Sequence, residues 1–478
     1  MIRQDKAVSG QVKETAINVD DIYEEVSEWH INSGGIKIVA KRLAGRFRTL
    51  KWFGMSVWLV LFLGPYLRWN DSQAILFDLP HRQFNIFDIT IYPQDIWMLS
   101  LTLLFFAILL AAVTSIAGRV FCGYFCFQTV WTDVYTFIEE KLEGNTPQKA
   151  LKFNKAPWSV DKITRKIAKH SMWLLIAALT GISFVAWFTE AFQLWRDLFS
   201  FQAPLFAVGV IATFTGGTYL FAGFMREQVC FWLCPYARLQ GVMYDQDTLL
   251  PAYDAERGEP RGRIKKGQDN SAKGSCIDCN VCVAVCPTGI DIRKGQQEGC
   301  ITCGMCIDAC DSIMDKVKQP RGLIRYASYK ELHHNGKSIP LYKRLRVIIY
   351  SLILLMALSG IIYGFMNLSP TEFKVVHERQ PLFVRLSDGS IQNKYTIKIL
   401  NKTKETMTIR FNIEGLDGAT LHSLKEMTVE PGKIVPVTAL VRVPSEHFTK
   451  GITPIIFKGD VVDSTISLRY KSMFMGPE

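Results

Sequence analysis

Two cysteine runs near the middle of the chain carry its most readable chemistry. Cys276, Cys279, Cys282 and Cys286 form the first, and Cys300, Cys303, Cys306 and Cys310 the second. Each reads C-x2-C-x2-C-x3-C. Thiolates at this spacing fold around one corner of a cubane, and the fourth reaches across to a second cubane. One [4Fe–4S] cluster is therefore assigned to Cys276, Cys279, Cys282 and Cys310, and the other to Cys300, Cys303, Cys306 and Cys286. Zinc competes for such residues, but it needs only four thiolates in two short pairs. The first run ends in Cys286-Pro287 and the second in Cys310-Asp311. A carboxylate beside Cys310 would lower the potential of the cluster it serves.

The other four cysteines form two C-x3-C pairs, Cys122/Cys126 and Cys230/Cys234. On a continuing helix this spacing places both thiols of a pair on one face. Each pair closes a long apolar run, and related text follows each: Phe127-Gln-Thr-Val-Trp-Thr-Asp in one case, Pro235-Tyr-Ala-Arg-Leu-Gln-Gly in the other. This pattern points to a repeat in which two two-helix units place four thiols near each other. Four soft thiolates would bind a soft metal ion and favour Cu(I) over Cu(II), which eases copper reduction. Arg119 and Arg226 stand close in sequence and would favour thiolate over thiol. The competing reading is that these cysteines are small buried apolar side chains at helix ends.

The elements that hold these groups follow from composition. Of 478 residues, 49% are hydrophobic and 12% aromatic, which points to membrane spans. The net charge of +11 is accounted for by basic residues flanking such spans and calls for no nucleic acid. Five apolar runs, near 52–69, 95–117, 170–189, 203–225 and 345–366, are long enough to cross a bilayer. Lys and Arg concentrate in the 118–169 and 226–344 segments. The 70–94 and 190–202 loops carry only Arg82 and Arg196. Positive-inside logic then puts the N-terminus and the cluster runs in the cytoplasm, and the region after the fifth span outside.

The expected organisation is a multidomain membrane protein. Residues 1–51 form a cytoplasmic tail with an acidic patch at Asp20, Asp21, Glu24 and Glu25, and no cleavable leader is expected. Residues 52–250 form a membrane domain of four transmembrane helices with both thiol pairs. Residues 251–344 form a cytoplasmic ferredoxin-like α+β insert with two clusters, entered through an exposed linker at 251–275. Residues 345–368 hold the fifth transmembrane helix. Residues 369–478 alternate apolar and polar positions between the turn signals Asp388-Gly389, Asp417-Gly418 and Pro431-Gly432, and read as a periplasmic immunoglobulin-like β-sandwich.

Histidines add little. His333 and His334 read as a solvated pair, and His377, His422 and His447 as surface residues of the sandwich. His170 is the only candidate axial ligand near the spans, so bis-histidine haem is not expected. With no G-x-G-x-x-G fingerprint, electrons are expected from a partner or a quinol rather than from a bound nicotinamide or flavin.

At this point the residues resemble a family. Gly45-Arg-Phe-Arg-Thr-Leu-Lys-Trp52, Gly118-Arg-Val-Phe-Cys-Gly-Tyr-Phe-Cys126 with Gln128-Thr-Val-Trp-Thr132, Cys230-Phe-Trp-Leu-Cys-Pro-Tyr-Ala-Arg238, both cluster runs and Asn393-Lys-Tyr-Thr-Ile-Lys398 are similar to text of the cytochrome c oxidase accessory proteins CcoG, also called FixG or RdxA. The resemblance covers nearly the whole chain. It implies a bacterial inner-membrane protein with two [4Fe–4S] clusters that reduces Cu(II) to Cu(I) for assembly of the cbb3-type oxidase. It also implies copper-handling and assembly proteins as partners, and electrons that pass to copper held by some of Cys122, Cys126, Cys230 and Cys234. In the family the first thiol motif ends Cys-Pro, whereas Phe127 follows Cys126 here. Two other readings stand beside this one. The first is a quinol dehydrogenase subunit of polyferredoxin type. The second is a non-enzymatic scaffold or copper chaperone whose clusters sense redox state.

Overall fold

A computed structural model describes residues 40–477 apart from 88, 145–146, 263–272, 298, 334–338, 370, 404, 423–425, 448–450 and 463–466. The acidic patch at 20–25 and His334 lie outside the described residues. Among the described residues, four segments are helical, long and apolar enough to cross a membrane: Ile96–Ala117, Val160–Val185, Leu205–Met225 and Leu345–Met366. Their side chains mostly face outward, as they must where lipid rather than protein is the solvent.

The first apolar run is divided. Helix α1 (Arg46–Ser56) gives way to a five-residue helix, Leu59–Leu63, and then to a 3-10 turn at Gly64–Tyr66. Pro65 explains the end of the helix, since its ring removes a donor and clashes one turn back. The divided run still joins opposite ends of the bundle. At its start Phe47 packs against Gly304 of the cluster insert, and at its end Gly64 packs against Trp187, just past the C-terminus of Val160–Val185.

Helix α2 (Ile96–Ala117) is followed by the one-turn helix α3 (Val120–Tyr124) and by α4 (Phe127–Glu143). Helix α5 (Val160–Val185) begins ten residues before the expected span. Ser159 caps it by accepting the Lys162 N–H, so its first turns extend beyond the apolar part. Helix α6 (Leu205–Leu220) passes through two π-helical turns into α7 (Pro235–Val242). The stretch 70–94, read as a loop, contains a small antiparallel sheet of β1 (Ile75–Asp78), β2 (Gln83–Ile86) and β3 (Ile89–Ile91).

The cluster insert opens on β4 (Leu250–Tyr253), which pairs antiparallel with β5 (Ile324–Ala327). This corrects the start of the expected linker. Residues 250–253 are buried because strand pairing closes the insert on itself. The Gly-, Lys- and Arg-rich text at 263–272 lies outside the described residues. Helix α8 (Met305–Lys316) runs through the insert, and helix α9 (Leu345–Met366) leaves it, packing on α2 at Gly360 and Gly364.

The C-terminal region is a two-sheet sandwich. One sheet orders Thr420–His422, β10 (Ile434–Val443), β7 (Ile391–Asn401) and β6 (Thr371–His377). The other orders β9 (Glu426–Val429), β8 (Met407–Glu414), β11 (Ile452–Val461) and β12 (Ser467–Met475). Along β7 alternate side chains are buried, and Ile397, Ile399, Ile409, Val441, Phe457 and Phe474 meet between the sheets. Lys402 docks this domain on the bundle. Its ammonium is 2.7 Å from Asp95, at the start of α2, and 3.1 Å from Glu372. His422 and His447 are exposed, and His377 reaches the Asn393 amide oxygen at 3.3 Å.

Candidate iron–sulfur and thiol centre

The two cluster runs share one backbone pattern. Asp278 and Thr302 have φ of +52° and +48°, and Asn280 and Gly304 have φ of +57° and +70°. These left-handed residues occupy equivalent places, one just before and one just after the second cysteine of each run. Each turns the chain sharply beside the second cysteine of its run. Asn280 and Gly304 then serve as N-caps for Val281–Ala284 and for α8.

Each fourth thiol lies within electrostatic reach of the opposite run. Burial pushes the Cys306 thiol up, and Cys303, Cys300, Cys286 and Cys282 add to the effect. Cys310 is pushed up to about 12 by burial, then by Cys282, Asp311, Cys276 and Cys279. A small cavity is lined by Cys286, Cys300, Cys303 and Cys306, with Cys282 and apolar neighbours such as Ile290. Buried thiols that repel one another as thiolates are stable together when a metal centre takes their charge. The soft sulfur donor sets therefore fit two iron–sulfur clusters. The first set lies in the core of the insert with Tyr253, Ile292, Met314 and Leu323, although Cys279 is exposed.

The second set touches the membrane thiols. Cys122, Ile301 and Cys303 pack together with Tyr236 and Met305 around them. Tyr124 donates its hydroxyl to the Cys303 carbonyl at 2.8 Å. Gly123 permits this approach, since a Cβ there would stand 2.6 Å from the Ile301 carbonyl oxygen. From the other pair, Phe231 lies against Gly299, next to Cys300.

The two thiol pairs lie within electrostatic reach of one another, but not along continuing helices. Helix α3 stops at Tyr124, and Cys126 is extended (φ −62°, ψ 129°) as the N-cap of α4. Cys234 is likewise extended (φ −87°, ψ 105°) as the N-cap of α7. The N–H of each second cysteine donates to the carbonyl five residues back, Phe121 in one case and Val229 in the other, at 2.9 Å in both. Phe127 therefore occupies the helix position that Pro235 fills in the other unit, and stacks on Trp131 with ring centroids 4.1 Å apart. Cys122 is pushed up to about 12 by burial, then by the thiols of Cys126, Cys230 and Cys234, with Arg119 opposing. Cys230 is pushed up to about 12 by burial, Cys126 and Cys234, again with Arg119 opposing. The two units are tied by Gln240, whose side-chain oxygen accepts from the Cys122 thiol at 3.2 Å.

Arg226 does not serve the thiols as expected. Its guanidinium is 2.6 Å from Glu139, which with Glu143 also meets Lys169. These buried charges line a cavity between α1, α4 and the insert that reaches Cys230, Ile301 and Met305. Lys51, just before the first apolar run, lies inside this cavity wall with its side chain only 2% exposed. Its signal in sequence is spacing: Phe47, Lys51 and Gly54 fall on one helical face, and Phe47 and Gly54 touch Gly304 and the Tyr124 carbonyl. Gln240 and Tyr124 gave no signal, because their partners lie more than a hundred residues away. His170 meets the Tyr219 hydroxyl at 2.9 Å.

The comparisons agree with this geometry. A 4Fe-4S dicluster domain profile matches residues 225–329, and a 4Fe-4S binding domain profile matches 99–143. The profile for the IG-like fold at the C-terminal of FixG matches 361–477. Nitrogen fixation protein FixG of Rhizobium meliloti is 38% identical over 463 residues, covering 87% of this chain and 88% of that protein. Protein RdxB of Cereibacter sphaeroides is 41% identical over 390 residues, covering 79% of this chain and 81% of that protein. Protein RdxA of the same organism is 38% identical over 393 residues, covering 80% and 83%. The chain belongs to the FixG/RdxA family of membrane-bound iron–sulfur electron-transfer proteins.

Proposed function

We propose that the chain reduces Cu(II) to Cu(I) at Cys122, Cys126, Cys230 and Cys234 and supplies it for assembly of a cbb3-type oxidase. The observation that supports this reading is the cluster of Cys122 with Ile301 and Cys303, which brings one membrane thiol beside the second cysteine run. Cys276, Cys279, Cys282 and Cys310 would hold one cluster, and Cys286, Cys300, Cys303 and Cys306 the other. Bound there, the clusters supply one-electron transfer. Each Cu(II) takes one electron, and the thiolates then favour the softer Cu(I) that results. Gln240 and the short helix α3 hold Cys122 in place, and burial excludes water from it.

We also place five spans in the membrane, counting the divided run as the first, since Phe47 and Gly64 lie at opposite ends of the bundle. The N-terminus and insert then face the cytoplasm and the sandwich the periplasm, where it would dock copper-handling or assembly proteins. A second reading has an observation of its own. The 4Fe-4S binding domain profile covers a stretch whose only cysteines are Cys122 and Cys126. On that reading the four membrane thiols would hold a third cluster.

The test uses protein purified anaerobically, reduced and desalted, then mixed with Cu(II) and a Cu(I)-specific chelator. Reoxidation in step with Cu(I) formation, lost in Cys230→Ser/Cys234→Ser protein that keeps its iron, supports copper reduction. Reduced protein beside unchanged Cu(II) refutes it. Iron sufficient for three clusters, falling to two in the double variant, selects the second reading.

A further inference from the structure

The two cluster sites stand in opposite electrostatic surroundings. Near the site that touches the membrane thiols, Arg42 lies 3.0 Å from Asp133 and 2.7 Å from Glu140, Arg48 lies 3.3 Å from Asp133, and Lys51 lies 3.4 Å from the same carboxylate. Three cations share two carboxylates, which leaves a surplus positive charge. The neighbouring group is balanced, with Arg226 and Lys169 on Glu139 and Glu143. Lys41 and Glu227, which also line the cavity, add one charge of each sign.

Helix α1 aims this surplus. Phe47, one turn before Lys51, packs on Gly304, and Gly54, one turn after it, packs on the Tyr124 carbonyl. Tyr124 in turn bonds Cys303. Lys51 therefore lies on the face of α1 that looks at the Cys303–Gly304 turn. Lys51 shares a cavity wall with Ile301 and Met305, which flank Cys303, and Arg119 follows Gly118, which packs on Thr302. Arg119 is buried at the junction of α2 and α3, where it donates to the Ala237 carbonyl.

The other site has the reverse balance. Arg293 is shared by Asp278 at 2.6 Å and Asp291 at 2.7 Å, and Asp311 directly follows Cys310. Two carboxylates there share one guanidinium, and Asp311 accepts from the Gly322 N–H at 2.9 Å. Asp308, on the helix between the two sites, is directed at the N–H groups of Phe47 and Arg48.

We propose that Lys51, with Arg119, holds the potential of the Cys286/Cys300/Cys303/Cys306 site above that of the Cys276/Cys279/Cys282/Cys310 site, so that electrons run toward the four membrane thiols. Adding one electron makes a cluster more negative, and a buried, weakly screened cation stabilises that form. Burial works in the opposite direction. The site beside Lys51 is the more enclosed, and enclosure penalises the added charge. The order of the two potentials thus reports whether the cations outweigh the burial. Lys51 is a positioning residue for charge. It holds no metal and touches no substrate.

This inference rests on the two-cluster part of the proposed function and not on copper. The test is a redox titration of the purified, iron-loaded full chain followed by EPR, without copper. Two midpoints are expected. Lys51→Gln should lower the higher one, so that at a fixed solution potential the ratio of reduced to oxidised centre falls at least tenfold, or 59 mV for one electron. Lys51→Arg should leave it in place, which separates charge from folding. Asp311→Asn, at the periphery, should raise the lower midpoint and leave the higher one. The proposal is overturned if Lys51→Gln protein with full iron keeps both midpoints, or if Lys51→Gln and Asp311→Asn move the same one. Either failure leaves copper reduction to its own assay.

Discussion

Gly118 and Arg226 hold the same unusual backbone, φ +60°, ψ −135° and φ +48°, ψ −117°, each four residues before the first cysteine of a membrane pair. Both end a long apolar helix and turn the chain into the one-turn segment that carries the thiol. Glycine takes this conformation freely, whereas arginine is strained in it. Arg226 is kept there by its bonds to Glu139 and to the Gly223 carbonyl.

Arg226→Gly and Arg226→Ala should therefore differ. Both lose the ion pair with Glu139, but glycine also relieves the backbone. The glycine variant should be the more stable by about 1 kcal/mol after its greater unfolded-state freedom is counted. Thermal unfolding in detergent checks this. An alanine variant that melts at or above the glycine variant would show that residue 226 is unstrained.

The pairing of units also predicts the effect of Phe127→Pro. Cys126 is already extended, as a residue before proline must be, and Phe127 stands at the first helical position, where a missing N–H is tolerated. The substitution should keep α4 and the iron content. It should cost the ring contacts with Trp131 and Trp58, about 2 kcal/mol. Val130→Pro, one turn inside α4, should cost about 3 kcal/mol or more, since its N–H bonds the Cys126 carbonyl. Helix content by circular dichroism and iron per chain separate the two outcomes.

Much of this centre was legible because cysteine spacing encodes geometry directly. The C-x2-C-x2-C-x3-C runs mark the insert that a 4Fe-4S dicluster profile matches at 225–329. The assumption of a continuing helix failed because a single positive-φ residue resets the chain, and Arg226 in particular carries no mark of that role in its type. Strand β4 was hidden for a different reason. Leu250–Tyr253 is four residues of ordinary text whose partner, Ile324–Ala327, lies some seventy residues on, so no local pattern reveals it. Lys51 carries no mark of its burial, because a lysine before an apolar run is usually a solvated flank.

Copper binding should depend steeply on pH. Burial, with the neighbouring thiols, pushes Cys122 and Cys230 up to about 12, so both are protonated near neutrality. A metal ion must displace those protons, and its apparent affinity rises about tenfold per pH unit for each thiol deprotonated. With two such thiols, the Cu(I) affinity should climb by roughly a hundredfold between about pH 7 and about pH 8. Competition with a Cu(I) chelator at several pH values measures the slope, and Cys122→Ser/Cys230→Ser should flatten it. A pH-independent affinity in the unaltered protein would mean that these two thiols are not ligands.

Lys402, whose side chain is 4% exposed between Asp95 and Glu372, ties the sandwich to the start of α2. Lys402→Ala leaves two largely buried carboxylates facing each other. Breaking a buried pair at one partner costs about 3–5 kcal/mol, and somewhat less here because both acids keep part of their hydration. That cost can fall on the sandwich fold or on its docking. The sandwich has its own core of Ile397, Ile409, Val441 and Phe457, far from Lys402 in the sequence of contacts, so undocking is the cheaper response. Protease cleavage at the joint between Asn367 and Thr371 should accelerate at least tenfold, while the calorimetric transition of the sandwich stays in place. Asp95→Ala added to Lys402→Ala should recover part of the protection, since it removes one of the stranded charges. If the sandwich transition instead falls with the single variant, Lys402 supports the domain from within rather than tethering it to α2.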